Sequence, residues 1–232
     1  SVFGFVVVAD ELTPAPPACQ HGGIPQAVNL TAHAIALEEA VNILIPDRNA
    51  DGVLALDYEG WQPVWDELLG RQYKNMSEQL VSEAHPGWSA AKVTEQAEAE
   101  FNSAARAFYE TTFTTLRALR PHMKLSHHAF PVTVCYDQPL TRAHNDKMQW
   151  LYELFDVLSP SIYLQQLSSY PCAADQATLV RQTMSEAMRI AEACAQRPRG
   201  DGRPTPVIPF TWFRQEISGN NSILSEAAFE TE

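Results

Sequence analysis

Short apolar segments alternate with amphipathic helical segments along the whole chain. The predicted strands are FGFVVVAD, which ends at Asp10, and the segments 53–59, 125–130, 161–164 and 206–213. Helical periodicity covers 31–44, 61–69, 89–119, 146–155 and 174–195, and a last helix begins at Ser225. Strands and helices that alternate in this way are typical of βα units, which build a parallel sheet.

The length of the chain and the number of strands favour an α/β fold of the barrel type. A complete eight-stranded (β/α) barrel takes about 250 residues, and this chain of 232 residues contains about five predicted strands. We therefore expect a single domain over residues 1–232 that forms most of a TIM-like barrel, with something missing at its ends. Open sheet edges of this kind favour self-association.

Two carboxylates mark the end of the second predicted strand, VLALDYE. Residues two apart on a strand project to the same face, so Asp57 and Glu59 lie side by side while Tyr58 points to the other face. Barrel enzymes keep their chemistry at this end of the strands. A pair of carboxylates, one of them protonated, suits glycoside hydrolysis. The alternative is that Asp57 caps the following turn and Glu59 is solvated.

Composition and charge narrow the classes of partner. A net charge of −12 and a pI near 5.0 argue against nucleic acid or an anionic membrane surface, because those partners need a basic footprint. The sequence has no apolar run long enough to span a bilayer. It also contains no nucleotide-binding motif and no clustered metal-ligand spacing, so we expect neither a cofactor nor a metal.

Several blocks of sequence resemble the hyaluronidase family of venoms, sperm and lysosomes. The strongest are HGGIPQAVNLTAH (21–33) and GVLALDYEGWQPVW (52–65). The similarity continues through LVSEAHPGW, AARAFYETTFTTLRALRP, HNDKMQWLYE, PSIYL, EAMRIA and PVIPF. In order and spacing these blocks extend over residues 3–227.

The resemblance implies a distorted (β/α) barrel that cleaves β-1,4 N-acetylhexosaminide bonds of hyaluronan with retention of configuration. Glu59 matches the general acid/base of the family. Asp57 matches the carboxylate that orients the substrate's 2-acetamido group, whose oxygen is the nucleophile. Tyr163 matches a tyrosine that binds near this group. We also assign Asp10 and Trp212, on the first and last predicted strands, to substrate binding.

The chain departs from the family pattern at several positions. His128 takes the place of an active-site tyrosine; an imidazole still donates a hydrogen bond but introduces a pH dependence. Gln62 replaces an arginine. A first strand and a last strand with an active-site tryptophan are expected to be missing. Cys135 lacks its usual partner nearby, and a bridge from Cys135 to Cys172 is a possible substitute.

These features leave two alternatives to a hyaluronan hydrolase. One is an inactive paralogue that binds glycans or has a structural role, and the other is a hydrolase that has shifted to chondroitin. In each case the partner is a glycosaminoglycan. Sequons at Asn29, Asn75 and Asn220 suit a glycoprotein that is secreted, extracellular or lysosomal.

Overall fold

A computed structural model describes most of the chain. The described residues are 4–7, 23–58, 60–68, 71–133, 138–163, 176–196, 202–212, 214–215 and 222–223. The backbone divides into two compact units, Ser1–Leu125 and Ser126–Glu232. The expectation of one catalytic domain over residues 1–232 stays a prediction.

The first unit contains a sheet whose middle strand is apolar. Strands β1 (Gly4–Val7), β2 (Gly52–Asp57) and β3 (Met123–His127) lie in the order β1-β2-β3, and β3 crosses the boundary between the units. β1 runs parallel to β2, with Val7 opposite Asp57. Leu54, Ala55 and Leu56 of β2 are all buried, so both faces of this strand are covered.

Three helices accompany this sheet in the sequence: α1 (Leu30–Leu44), α2 (Gln72–Ala84) and α3 (Ala90–Leu119). The predictions for α1 and α3 are confirmed, and Ser89 is the N-cap of α3, as its hydroxyl accepts a hydrogen bond from the Lys92 amide at 3.4 Å. The helix predicted over 61–69 is wrong. That segment contains only a 3₁₀ turn, Trp65–Glu67, and the sequence pattern missed α2.

Helix α3 is the longest element, with thirty residues and one continuous apolar stripe. Its buried side chains recur every three or four residues: Val93, Ala97, Phe101, Ala105, Phe108, Tyr109, Thr112, Phe113 and Leu116. A hydrogen bond connects this stripe to α1. The Thr112 hydroxyl donates to the Phe108 carbonyl at 2.8 Å, so it accepts from His33 Nε2 at 2.7 Å. His33 is therefore a structural histidine.

Arg120, at the C-terminal end of α3, is 2% exposed. Its guanidinium donates to oxygens at the end of α1 and to its own helix end: the carbonyls of Val41, Ile45 and Leu119 and the side-chain oxygen of Asn42. The last carbonyls of a helix lack partners within the helix and carry partial negative charge. A single buried cation thus satisfies the ends of two helices and fixes them side by side.

The second unit contains the remaining elements. They are α4 (Gln138–Lys147), α5 (Gln149–Tyr152), α6 (Gln176–Cys194) and a short antiparallel pair, β4 (Arg214–Gln215) with β5 (Ser222–Ile223). The helix predicted over 146–155 is divided into α4 and α5 at Met148, and α4 begins earlier. α6 follows its prediction over 174–195 closely.

Isolated parallel bridges replace full strands in this unit. Leu158 pairs with Val207, and Ser161 pairs with Phe210. These positions lie in or beside the predicted strands 161–164 and 206–213. The pairing is parallel, as βα units require, although the sheet does not close into a barrel within the described residues. None of the helices described is long and apolar enough to cross a membrane.

The structure describes the surroundings of Asn29, the first of the three predicted glycosylation sites. It is exposed and forms the N-cap of α1, with Oδ1 accepting from the Ala32 amide at 3.0 Å. A glycan on Nδ2 would leave that oxygen in place, so cap and glycan are compatible. The exposed Asn75 lies on α2, and Asn220 lies outside the described residues. Modification of all three stays a prediction.

We expect Asn29→Ala and Thr31→Ala both to abolish an N-glycan at this position when the protein is made in a secreting eukaryotic cell. Only Asn29→Ala removes the cap, so it alone should lower the free energy of unfolding, by about 1 kcal/mol. Mass spectrometry of the tryptic glycopeptide and urea denaturation of deglycosylated protein measure the two effects. Equal stability of the two variants would show that the cap contributes nothing.

Candidate active site

Strand β2 ends at Asp57, the first of the two predicted catalytic carboxylates. Asp57 is half-buried, and its Oδ1 atom is shielded from solvent. Glu59 and Asp10 lie outside the described residues, so the separation of the two carboxylates is not described. What the structure does describe is how the residues on either side of Glu59 are held.

The side chains that flank Glu59 pack on helix α3. Tyr58 is 9% exposed, and its ring lies 5.4 Å from Phe108 and 5.3 Å from Trp61. Trp61 in turn meets Phe108 edge-on at 5.1 Å. Tyr58 therefore points toward the helix layer, which agrees with the alternation predicted for this strand. Aromatic pairs in this geometry add stability beyond the area that they bury.

The phenol of Tyr109, which also contacts this aromatic group, stays uncharged because it is buried. Tyr109 of α3 is 0% exposed and lies 5.8 Å from the Trp61 ring, edge-on. Burial, and secondarily the proximity of Tyr58, raises the pKa of the Tyr109 phenol well above its ordinary value of 10.0. The phenol is therefore neutral at every pH at which the protein is expected to work.

The backbone of the same segment is anchored by hydrogen bonds. The Tyr73 hydroxyl of α2 donates to the Gly60 carbonyl, and the Trp65 amide donates to Asn102 Oδ1 of α3 at 2.8 Å. Gly60 also has no room for a side chain. A Cβ atom there would lie 2.6 Å from the Tyr58 hydroxyl oxygen and 2.8 Å from its Cζ. Residues on both sides of Glu59 are thus held by helices α2 and α3.

In the second unit, His127 and His128 point in opposite directions, as adjacent residues on a strand must. His127 is 1% exposed, and its ring packs against Phe130 at 4.7 Å and Phe155 at 6.3 Å. His128 is half-buried. Only one of two adjacent rings on a strand can enter a site, and the exposure of the two rings identifies it as His128.

His128 belongs to a group of four rings that we call the aromatic cluster: His128, Tyr163, Phe210 and Trp212. His128 lies 4.8 Å from Phe210 and 5.9 Å from Tyr163, and Tyr163 lies 6.2 Å from Trp212. The three predicted substrate-binding residues of this unit therefore lie together. The sequence analysis missed Phe210, although its spacing of two from Trp212 in an extended segment would have placed both on one face.

Backbone hydrogen bonds between extended segments bring the cluster together. The Ser159 amide donates to the Phe130 carbonyl at 3.0 Å, which connects the end of β3 to the segment that leads to Tyr163. The Ile162 amide donates to the Phe210 carbonyl at 2.9 Å, and the Phe210 amide donates to the Pro160 carbonyl at 2.8 Å. The ends of three extended segments therefore meet at one place.

The remaining features of this kind are groups of metal-ligating side chains and the cysteines. Among the residues that the structure describes, no three His, Cys, Asp or Glu side chains are grouped so that they could hold a metal ion. Cys135 and Cys172, the two halves of the suggested bridge, lie outside those residues. Cys194 is a buried thiol, and its sulfur accepts a hydrogen bond from Gln149 Nε2 at 3.6 Å.

The close approach of Gly60 to Tyr58 yields a stability prediction. We expect Gly60→Ala to lower the free energy of unfolding by about 1–3 kcal/mol, because Tyr58 is packed between Trp61 and Phe108 and cannot move aside. Urea denaturation measures this change. In a double-mutant cycle with Tyr58→Phe, which removes the nearer contact atom, part of the loss should be recovered. Strictly additive effects would contradict the steric explanation.

His127 should make stability depend on pH. Its Nδ1–H donates to the His128 carbonyl at 2.7 Å, and burial lowers the pKa of His127 from 6.5 to about 4. The unfolded chain therefore binds a proton that the folded chain excludes when the pH falls from 6.5 toward 4. We expect this single group to reduce the free energy of unfolding by about 3 kcal/mol over that interval.

The variant His127→Phe keeps a ring in the pocket and removes the titration. Chemical denaturation at pH 7.0, 5.5 and 4.5, for wild type and variant, measures the slope of stability against pH. The variant should show a shallower slope whatever its absolute stability. Identical slopes would mean that His127 is not the group responsible.

Comparisons with known proteins agree with the resemblance in the sequence. The sequence profile of the hyaluronidase family, described as "Hyaluronidase", matches residues 15–229. A hyaluronidase of Apis mellifera is 32% identical over 226 residues, which cover 91% of this chain and 55% of that protein. Hyaluronidase-2 of Mus musculus is 32% identical over 187 residues, which cover 74% of this chain and 39% of that protein.

The fold is similar as well. The crystal structure of bee venom hyaluronidase in complex with a hyaluronic acid tetramer superposes with a TM-score of 0.82 at 26% identity, over 99% of this chain and 72% of that one. The chain spans about half the length of the curated relatives that it matches. On the family match, the sequence identity and the superposition together, this chain belongs to the hyaluronidase family.

Proposed function

We propose that the protein is a glycoside hydrolase that cleaves β-1,4 N-acetylhexosaminide bonds of hyaluronan with retention of configuration. The observation that carries the proposal is the superposition, over 99% of this chain, on a hyaluronidase solved with a hyaluronic acid tetramer. The carboxylate at the end of β2 and the aromatic cluster add residues suited to the chemistry. Each of these features comes from a part of the chain within the family match.

The proposed reaction uses the acetamido group of the substrate as nucleophile. Glu59 donates a proton to the glycosidic oxygen as the bond to the anomeric carbon breaks, and the acetamido oxygen attacks that carbon to form an oxazolinium ion. Asp57 accepts a hydrogen bond from the acetamido N–H and stabilises the positive charge. Glu59 then takes a proton from the water that opens the ring, so the configuration is retained.

The packing around β2 supports this assignment of roles. A general acid must be held within hydrogen-bonding reach of the oxygen that it protonates. Tyr58 and Gly60, the neighbours of Glu59, are fixed by α3 and α2. Asp57 Oδ1 is shielded from solvent, where a carboxylate interacts strongly with a nearby cationic intermediate.

The aromatic cluster is a proposed binding surface for a sugar of the substrate. Tyr163 and Trp212 are half-buried, so each keeps part of its ring accessible. Aromatic rings bind the apolar face of a pyranose, and the Tyr163 hydroxyl and His128 imidazole are hydrogen-bonding groups for hydroxyl or acetamido oxygens. Asp10 remains part of this proposal, although it lies outside the described residues.

We also propose that the chain folds as part of a (β/α) barrel, as the resemblance implies. The parallel pairing of β1 with β2 and the parallel bridges of the second unit support this architecture. A secreted, extracellular or lysosomal location is supported by the exposed sequon residues Asn29 and Asn75 and by the relative from bee venom. Self-association through open sheet edges remains a proposal.

A second candidate function is glycan binding without turnover. His128 and Gln62 replace residues that the family usually has as tyrosine and arginine, so the contacts to substrate differ. The same replacements leave open a hydrolase that prefers chondroitin. A lectin-like protein binds oligosaccharides but releases no reducing ends, and this difference separates it from both hydrolases.

The test is the release of N-acetylhexosamine reducing ends from hyaluronan and from chondroitin between about pH 4 and 7, where a carboxyl group of raised pKa would act. Glu59→Gln should abolish release while leaving oligosaccharide binding nearly unchanged. Asp57→Asn should lower kcat/KM by several powers of ten, each equivalent to about 1.4 kcal/mol of transition-state stabilisation. Glu95→Gln, at an exposed position of α3, is the matched control.

Near wild-type activity of Glu59→Gln would disprove its role as the acid. A loss of less than tenfold in Asp57→Asn would make Asp57 a bystander. If the folded wild-type protein binds hyaluronan oligosaccharides but releases no reducing ends, the glycan-binding alternative is correct. Faster release from chondroitin than from hyaluronan would reassign the substrate.

A further inference from the structure

A buried polar network in the second unit has no role in the chemistry proposed above. Its centre is Asn145 of α4, which is 0% exposed. The Asn145 Nδ2 group donates to Glu186 Oε1 of α6 at 2.9 Å and to the Val132 carbonyl at 2.9 Å. The hydroxyl of Tyr152, in α5, donates to Asn145 Oδ1. Both hydrogens of the amide and its oxygen are therefore engaged.

Glu186 is 2% exposed, and its charge is compensated on the same helix. Arg189 donates to Glu186 Oε2 through Nε and to Oε1 through Nη2, both at 2.8 Å. This bonding with Glu186, opposed by partial burial, raises the pKa of the Arg189 guanidinium. Arg189 also bonds to the exposed Asp146 at 2.8 Å, and Arg142 lies 3.9 Å from Glu186. The buried carboxylate therefore has cationic partners that offset the cost of removing it from water.

The acceptor that distinguishes this network is the carbonyl of Val132. Unlike the other partners it belongs to no helix, and it lies four residues after His128 in the segment that leaves β3. Besides the bond that the His128 carbonyl accepts from its neighbour His127, two hydrogen bonds connect this segment to other parts of the unit. The Phe130 carbonyl accepts from the Ser159 amide at 3.0 Å, and the Val132 carbonyl accepts from Asn145. The second of these bonds connects the segment that carries His128 to the three helices.

The acceptors on either side of Asn145 determine how its amide is oriented. The Glu186 carboxylate and the Val132 carbonyl can only accept, so both face Nδ2, and Oδ1 is left to accept from the Tyr152 hydroxyl. With Glu186 and Tyr152 in place, the remaining N–H points at the Val132 carbonyl. A hydrophobic core at this position would stabilise the helices without fixing the direction of that hydrogen bond.

We propose that Asn145 and Glu186 are positioning residues that hold the segment 128–132, and so the His128 ring, in its place within the aromatic cluster. The importance of this for sugar binding rests on the proposed function. Neither residue touches substrate. Their effect passes through the Val132 carbonyl to His128, whose ring contacts Tyr163 and Phe210.

Two variants separate positioning from simple stability. Asn145→Asp removes both N–H donors and places a carboxylate beside Glu186, so it should destabilise the fold. Adding Glu186→Gln restores the hydrogen bond between positions 145 and 186 with donor and acceptor exchanged. The glutamine amide donates to the new carboxylate at position 145 and its oxygen accepts from Arg189 Nε, while the bond from Arg189 Nη2 is lost. The net charge of the pair is also restored. In both variants the Val132 carbonyl still lacks its donor.

Three measurements on the full chain distinguish the outcomes. Urea denaturation reports stability, the ¹⁵N-imidazole NMR signal of His128 reports the position of the ring, and calorimetry with a hyaluronan oligosaccharide reports affinity. The His128 signal is assigned by its loss in His128→Gln. Glu192→Gln, at an exposed position of α6, is the matched control and should behave as wild type.

We expect Asn145→Asp to lose stability and the double variant to regain most of it. Both should show a displaced His128 signal and an affinity reduced roughly tenfold, the scale of one unsatisfied buried acceptor. A double variant with the wild-type signal and affinity would overturn the proposal. So would a double variant that cannot fold, because the network would then be needed for the fold itself.

The experiment also separates this proposal from the proposed function. If the wild-type protein binds no hyaluronan oligosaccharide, the assigned ligand is wrong, and the His128 signal alone decides whether Asn145 and Glu186 position the ring. If the wild type binds and the variants keep the His128 signal unchanged, the ligand is right and the positioning role is wrong.

Discussion

The first unit depends on the burial of one face of α3. A fully buried large apolar side chain contributes about 1.5–3 kcal/mol, and the stripe of α3 includes three phenylalanines, Phe101, Phe108 and Phe113. The same stripe receives Tyr58 and Trp61 from the segment that follows β2. A helix that begins at Ala90 therefore determines where the last residues of β2, which ends at Asp57, lie. Packing and chemistry are connected through this single surface.

Periodicity in the sequence predicted the helices that pack mainly against one neighbouring part of the structure. α3 and α6 each have a regular apolar stripe, and the predicted spans of α1, α3 and α6 nearly match the observed ones. α2 escaped prediction because its two buried residues are a valine and a serine, Val81 and Ser77, and its N-cap position has no capping side chain. The spacing of Trp61 and Trp65 resembled a helix, but it arises because both rings pack on α3.

The sequence allowed residues of the candidate site to be predicted only where they lie at or beside the ends of predicted strands. His128, Tyr163 and Trp212 lie at or beside the ends of predicted strands, and parallel strands bring such ends together, so their meeting could be anticipated. The network around Asn145 could not. Its two central residues are 41 positions apart, and a buried amide or carboxylate leaves no periodic trace on a helix that is otherwise amphipathic. Resemblance to the family covered these residues without indicating what they contact.

Arg120 implies that the two units respond differently to acid. Its guanidinium is held by carbonyl and amide oxygens, and none of these groups gains or loses a proton in the range where proteins stay folded. The second unit instead contains the buried ring of His127, which stays neutral because burial lowers its pKa to about 4. Acidification should therefore loosen the unit with the aromatic cluster first, while α1 and α3 remain joined. In an acidic compartment the first unit would be the durable half of the molecule.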